Sequence, residues 1–494
     1  MKIRTIITQD AEVDDQNSLR HFLFYANEVD LQGIIQTSSK FHWIGVPGAV
    51  TKEAKEVDFE GFVPEKAPHD QPYRWPGTDW MMEVIDDYEK DYPNLCKHAD
   101  GYPTPDYLRS ITKIGNIGYE GEMDQPSEGS ELIRKAILDD DERTLYIQVW
   151  GGTNTIARAL LDIKAEYGDS PEWPAMHEKI TKKVVITACG EQDPTYRTYI
   201  SEEWPGIQFV KTLQMMSYAY PWKTMPEGES KDTLKAEFMK AEILNGKSAL
   251  ADGYCTWLDG VYYEGEIEES QFGANPNVVN EWFGARMGIP SGEQYDFLSE
   301  GDSPTFFALF DWGFRTLEDF GYGGIAGRYS KKEDYNSKGE SLNIWDVEKD
   351  LYVDRDGNEH MLESMWRYVA DIQRDFAARI AWAAADTYEE GEHAPLLTVQ
   401  EGTDFCAAPG EKITLHACAE SPDQAQVSVE FRVYGDASAP CAADAVLNVC
   451  GNEAEFTVPE TAQAGDVLHL VVKAQADGHH RLVHYQQVIV KVAG

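Results

Sequence analysis

The stretch ITQDAEVDDQNS (residues 7–18) sets Asp10, Asp14 and Asp15 within six residues of one another, with Glu12 between them. Carboxylates this close repel, and at least one has its pKa raised unless a cation compensates. A hard divalent cation takes oxygen donors of this kind, and calcium, with about 6–8 ligands and tolerance of irregular geometry, suits the set better than magnesium. The alternative is local: Asp14 caps a helix while Asp10 and Glu12 are solvated loop charges. Spacing leaves both open. A distant partner is offered by EGDSPTFFALFDWGF (300–314), where Asp302 or Ser303 precedes Pro304 and an apolar run. That pattern starts a helix, and Asp302 could either cap it or add a carboxylate to a metal shell.

These residues need elements to hold them. KIRTIIT (2–8), LQGIIQT (31–37), LYIQVW (145–150), KVVITA (183–188) and IQFVKTL (207–213) read as strands, and NSLRHFLFYANE (17–28), SELIRKAIL (130–138) and TIARALLDIKAEY (155–167) as helices. The alternation predicts an α/β fold with a mostly parallel sheet covered by helices on both faces. In such sheets ligands sit beyond the carboxyl ends of the strands. There lie Asp10, Asp14 and Asp15, then SSKFHW (38–43), GGTN (151–154) and CGEQD (189–193). Residues 60–125 and 214–300, rich in Pro, Gly and aromatics, read as excursions over the sheet edge. Residues 365–388 read as one long amphipathic helix. After His393, seven β-rich runs follow at short intervals, which predicts an immunoglobulin-like β-sandwich. The expected division is 1–393 for the α/β domain and 394–494 for the sandwich.

Composition narrows the partners. With 86 acidic against 43 basic residues the formal charge is −43, which argues against nucleic acid and anionic membranes, since both need Lys and Arg. Seven scattered cysteines without a C-x-x-C pair suggest neither a zinc site nor a disulfide framework. No stretch is apolar and long enough to span a bilayer, and Met1 runs almost directly into the first strand, so a cytoplasmic location is expected. DRDGN (354–358) mimics an EF-hand opening but lacks the later glutamate, and reads as a turn.

At this point the residues resemble a family. DAEVDD after an apolar strand is similar to the D-x-D-P-G-x-D-D opening of inosine-uridine-type nucleoside hydrolases, and WGGTNTIARAL (150–160) to their G-P-L-T-N-I-A segment. The closer resemblance is to a nucleoside-hydrolase-like family once described as cellulose-binding, carried by RTIITQDAEVDDQNS (4–18), EGDSPTF (300–306) and QRDFAARIAW (373–382). Members of that family also end in a small β-sandwich. The resemblance implies that Asp10 is a calcium ligand and the general base toward water, and that Asp15 and Asp302 are calcium ligands. It further implies that Asn154 gives calcium its backbone carbonyl, with Thr153 the neighbouring alternative, and that Asp14 binds sugar hydroxyls.

The departures matter equally. Ala11-Glu12 replaces Pro-Gly, and Gly301 stands where some nucleoside hydrolases have the leaving-group histidine. Candidate replacement acids are Glu191, Asp193, Glu300 and His42, with Glu300, His42 and Trp43 also candidates for substrate contact. Clusters at Tyr73, Trp75 and Trp80, at Tyr218, Tyr220 and Trp222, and at Trp257, Tyr262 and Tyr263 could stack on sugars or simply pack. Two functions are therefore carried forward: a calcium-dependent hydrolase of a glycosidic or N-glycosidic bond in a small glycoside or oligosaccharide, and a non-catalytic carbohydrate-binding protein. A role for the sandwich in homo-oligomer assembly is compatible with either.

Overall fold

A computed structural model describes residues 2–50, 67–278, 288–290 and 292–494; parts of the two expected excursions lie outside the described residues. The main sheet contains β1 (Ile3–Gln9), β2 (Val29–Gln36), β3 (Thr112–Ile114), β4 (Leu145–Val149), β5 (Val184–Ala188), β6 (Gln208–Lys211), β7 (Tyr329–Lys331) and β8 (Ile344–Val347). Their order is β3-β2-β1-β4-β5-β6-β8-β7. Every pair is parallel except β7 with β8. β4 and β5 are buried along their whole length, as expected for strands with helices on both faces. The sequence runs for β1, β2, β4, β5 and β6 hold to within a few residues. The edge strands β3 and β7 and the neighbouring β8, of three or four residues, are too short to show a period.

The covering helices include α1 (Val13–Leu23), α2 (Trp80–His98), α3 (Pro105–Ile111), α4 (Glu128–Leu138), α5 (Asn154–Tyr167) and α6 (Trp173–Lys183). On one face Ile133, Ile156, Leu160 and Ile180 pack against Ile6, Ile147 and Ile186. On the other, Leu19, Phe22, Ile85 and Phe376 pack with Ile7, Ile34 and Val210. The long helix expected over 365–388 is shorter, Val369–Trp382, preceded by a 3-10 turn at Ser364–Tyr368. Its end is fixed from outside, because the Asn94 side chain donates to the Ala383 carbonyl at 2.8 Å. DRDGN is the turn of a hairpin between β9 (Lys349–Val353) and β10 (Glu359–Glu363), with Asp354 accepting from the backbone N–H of Asp356 and Asn358.

The C-terminal region is a sandwich of two four-stranded sheets. It comprises β11 (Leu396–Val399), β12 (Asp404–Ala407), β13 (Lys412–Glu420), β14 (Val427–Val433), β15 (Val446–Cys450), β16 (Glu453–Thr457), β17 (Val467–Ala476) and β18 (Val483–Val492). One sheet runs β11-β13-β16-β15 and the other β12-β18-β17-β14. There are eight strands where seven were expected: the short edge strand β12, parallel to β18, carries too little alternation to be read. Leu415, Phe456, Leu470 and Val490 form the sandwich's own core, while Val471, Val483 and Tyr485 belong to the large core of the α/β region. Cys441 and Cys450 are free thiols. Among the described residues no helix is long and apolar enough to cross a membrane.

Candidate functional site

The carboxyl ends of the central strands continue their ladder into the loops: Thr37 N–H donates to Gln9, Trp150 N–H to Thr8, and Cys189 N–H to Val149. The loops after β1, β2, β4 and β5 are thereby gathered at one edge. Asp10 leaves β1 into a turn where Ala11 has φ +73°, a backbone that proline cannot adopt. The chain here must therefore follow a different path from the Pro-Gly loop it resembles. A non-glycine residue in this region stores roughly 1–3 kcal/mol of strain. Helix α1 then begins at Val13 with Glu12 at its N-cap and no side-chain cap, so Asp14 is not the capping residue and lies inside the first turn with Asp15.

Asp14, Asp15 and Asp302 converge, each offering an oxygen within 4.8 Å of the others. Asp10, Glu12 and His42 form a second group on the same criterion. The two abut, because Asp10 N–H donates to Asp15 Oδ1 at 2.9 Å. Asp302 precedes a single helical turn, Pro304–Phe307, whose Thr305 accepts from Trp150 Nε1 at 2.8 Å and so ties the distant segment to the loop after β4. Ser303 is the N-cap there, and Asp302 Oδ2 has no hydrogen-bond partner among the described residues.

The electrostatics are severe. Asp10, Asp15 and Asp302 are buried, and both Asp10 oxygens also lack hydrogen-bond partners among the described residues. Burial, with Glu12 and Asp10 nearby, pushes Asp14 up to about 8. Burial and neighbouring aspartates push Asp15 and Asp302 well above the usual carboxylate range. Asp10 differs: burial raises it, but the His42 imidazole, helped by Ser39 and Asp15, outweighs burial and holds it low. The donor set is all hard oxygen, several of those oxygens are unpartnered among the described residues, and only His42 brings positive charge to them there, so the residues fit a calcium ion.

His42 anchors a chain of charges. Its Nδ1 lies 3.4 Å from Asp10 Oδ2, an ion-pair distance without hydrogen-bond alignment, and its Nε2 is 2.8 Å from Glu266 Oε1. Glu266 also receives Arg74 Nε at 2.7 Å, and Arg74 reaches Glu12 at 3.1 Å. Burial and Arg74 pull His42 down, but Asp10 and Glu266 outweigh them and raise it to about 9. Tyr220 places its hydroxyl 3.3 Å from Glu12. Glu266, Arg74 and Tyr220 come from the two excursions. Only Tyr220 stood out beforehand, as one of an aromatic cluster.

The remaining candidates are placed differently. Asp193 accepts from Thr153 Oγ1, Asn154 N–H and both Thr195 donors, at 2.6–3.0 Å. Glu191 is held by Arg197 in a two-point ion pair at 2.6 Å. Glu300 is enclosed by His21, Ser303 and Tyr254. Each is a loop-holding carboxylate with its oxygens engaged, not an open acid. The Asn154 side chain is consumed by Thr37, Ser38 and the carbonyls of Asn116 and Glu122, whereas the resemblance calls only on its backbone carbonyl. Trp43 is buried, bridged to Tyr73 through the backbone, and donates to the Gln71 carbonyl. Trp80, Tyr218, Trp222 and Trp257 are buried too, so they pack. At Gly301 a Cβ would lie 3.2 Å from Asp14 Oδ2, so a side chain there would crowd the acids. A separate cleft of about 370 Å³, lined by Lys2, Asp30, Tyr107 and Arg143 among others, lies toward the amino ends of the strands, away from these groups.

Fold and strand-end acids together define a nucleoside-hydrolase-like protein. The family model described as the cellulose-binding Sde182, nucleoside hydrolase-like domain matches residues 4–329, and that of the cellulose-binding protein Sde0182 C-terminal domain matches 412–492. The chain belongs to this family. A solved nucleoside hydrolase-related hypothetical protein from Saccharophagus degradans, described as associated with carbohydrate metabolism, is similar over 100% of both chains, with a TM-score of 0.69 at 22% identity. At that identity the likeness shows the fold. An effector protein, XOO4466, covers 78% of this chain and 95% of its own at 8% identity and a TM-score of 0.32, too slight a likeness to bear on this chain. No curated protein matches.

Proposed function

We propose that the protein is a calcium-dependent hydrolase of a glycosidic or N-glycosidic bond in a small glycoside or oligosaccharide. The observation that carries this is the group of buried carboxylates, Asp10, Asp14, Asp15 and Asp302, which among the described residues have no cationic partner beyond His42. Asp15, Asp302 and Asp14 would hold the cation, with Asp10 beside them. Calcium bound there supplies the missing charge and acidifies nearby water. Asp10, held ionised beside His42, is the base that takes the proton. Of the four candidate acids, His42 is the one adjoining Asp10, and Glu266 on its far nitrogen keeps it protonated and oriented to serve the leaving group. Fixed negative charge around the anomeric carbon stabilises an oxocarbenium-like state. Cytoplasmic location and an imported small glycoside complete this reading.

A second reading, carbohydrate binding without turnover, is favoured by Gly301 in place of the expected acid and by the cellulose-binding names of both matching family models. The experiment that separates them is product release from furanosides, pyranosides, nucleosides and oligosaccharides, using calcium-loaded and chelator-stripped protein. Hydrolysis that vanishes with the metal and returns with it supports the first. Glycan affinity without product across the panel supports the second.

A further inference from the structure

We propose a second metal site, for a borderline divalent cation of the zinc class, formed by Glu242, His479 and His480 where the β17–β18 hairpin meets the α/β region. The three side chains each offer a ligand atom within 4.8 Å of the others. His479 Nε2 lies 3.1 Å from Glu242 Oε1, and His480 Nε2 lies 3.7 Å from Glu242 Oε2. Tetrahedral zinc, bound at about 2.0–2.1 Å, sets its ligands about 3.4 Å apart, and the two distances straddle that value. The second of them is too long for a hydrogen bond.

An independent feature prepares the histidines. Glu392 accepts the backbone N–H of His479 at 2.7 Å and of His480 at 2.9 Å, and it also receives His480 Nδ1 at 3.0 Å. A Cβ at Gly478 would meet the Glu392 carboxyl at 3.0 Å, so the turn is built around that side chain. With Nδ1–H directed to a carboxylate, His480 presents the Nε2 lone pair toward Glu242. Carboxylate–histidine–metal relays have this arrangement. The His479 side chain is 67% exposed, so a cation has a path in and water can complete the shell. Two imidazoles and one carboxylate select zinc, cobalt, nickel or copper over calcium. The site is therefore chemically distinct from the all-oxygen cluster at the strand ends. Glu242 lies in the α/β region and the histidines in the sandwich, so the cation would tie the two together.

The test uses the full chain, stripped with chelator and kept in excess calcium so that the strand-end acids do not compete. Zinc chloride is titrated by calorimetry, and cobalt chloride is followed by visible absorption. The expected result is a zinc equivalent with a cobalt spectrum of imidazole ligation, weakened at least about tenfold in His479→Gln and Glu242→Gln, and about 10–100-fold in Glu392→Gln through loss of the relay. His479→Gln alters an exposed side chain and so keeps the fold should Glu242→Gln fail to. Zinc-soaked crystals should show anomalous density bounded by the three side chains. No zinc uptake by the parent, equal uptake by His479→Gln, or density only elsewhere would overturn the proposal without touching the calcium site.

Discussion

The strand-end cluster and the seam between sandwich and α/β region both bury carboxylates, yet they treat them in opposite ways. In the seam Asp371 and Asp350 are both answered. Asp371 accepts from Tyr485 at 2.5 Å and Lys473 at 2.9 Å, and Asp350 from Arg328 at 2.8 Å and Tyr434 at 2.6 Å. Gln487 accepts from Arg315 N–H and donates to the Tyr322 carbonyl. At the strand ends Asp10 and Asp302 retain oxygens with no partner. Burying a polar group unpaired is costly and burying it paired is nearly neutral. The seam is thus arranged for stability, and the cluster keeps unpaired acids, as the proposed calcium site requires.

The largest effect that can break this contrast is on turnover. Asp10→Asn should lower hydrolysis by at least about 10²–10⁴-fold, the usual worth of a general base, while thermal unfolding stays near that of the parent. Unchanged rates would remove Asp10 from the chemistry. In the seam the order reverses: Asp371→Ala should cost about 2–4 kcal/mol in denaturant unfolding, because the Tyr485 hydroxyl and Lys473 ammonium lose their partner, with calcium uptake intact.

A pH measurement sharpens the comparison. Burial, helped by Arg315, lowers His469 at the seam to about 4 from an ordinary 6.5. The unfolded chain therefore binds this proton at higher pH than the folded one, and stability falls as pH drops from about 6.5 towards 4, by up to roughly 3 kcal/mol. His469→Gln should flatten the slope in that window; an identical slope would mean the histidine titrates normally. The smallest effect is the most telling. In chelator, Asp302→Asn should be as stable as the parent or more so, by about 1 kcal/mol, since it removes a buried acid whose ionised form burial and its neighbours disfavour. Marked destabilisation in chelator would show that Asp302 is a structural acid like Asp371.

How much of this was legible in the sequence follows from locality. The strands and helices bearing Asp10, Asp14 and Asp15 have a clear period, and EGDSP marks Asp302 by its helix start and family resemblance. That these acids meet could not be read from spacing, because Asp302 reaches them through the whole sheet. Glu191, Asp193 and Glu300 looked equivalent to them as strand-end or loop acids. What separates the two sets is the presence of Arg197, the Thr153–Thr195 pair and the His21–Tyr254 pair, contacts that span distant segments. Glu266 and Arg74 were invisible for the same reason, being isolated charges in aromatic-rich excursions without a period. The positive φ at Ala11 was hinted at only by the loss of Pro-Gly.

The most direct measurement is a calcium titration of chelator-stripped protein beside Asp15→Asn and Asp302→Asn. The expected result is a calcium equivalent that raises the melting temperature of the parent and is absent from both variants. A stripped parent that takes up no calcium, or variants that take it up as the parent does, would contradict the assignment of these buried acids to a metal.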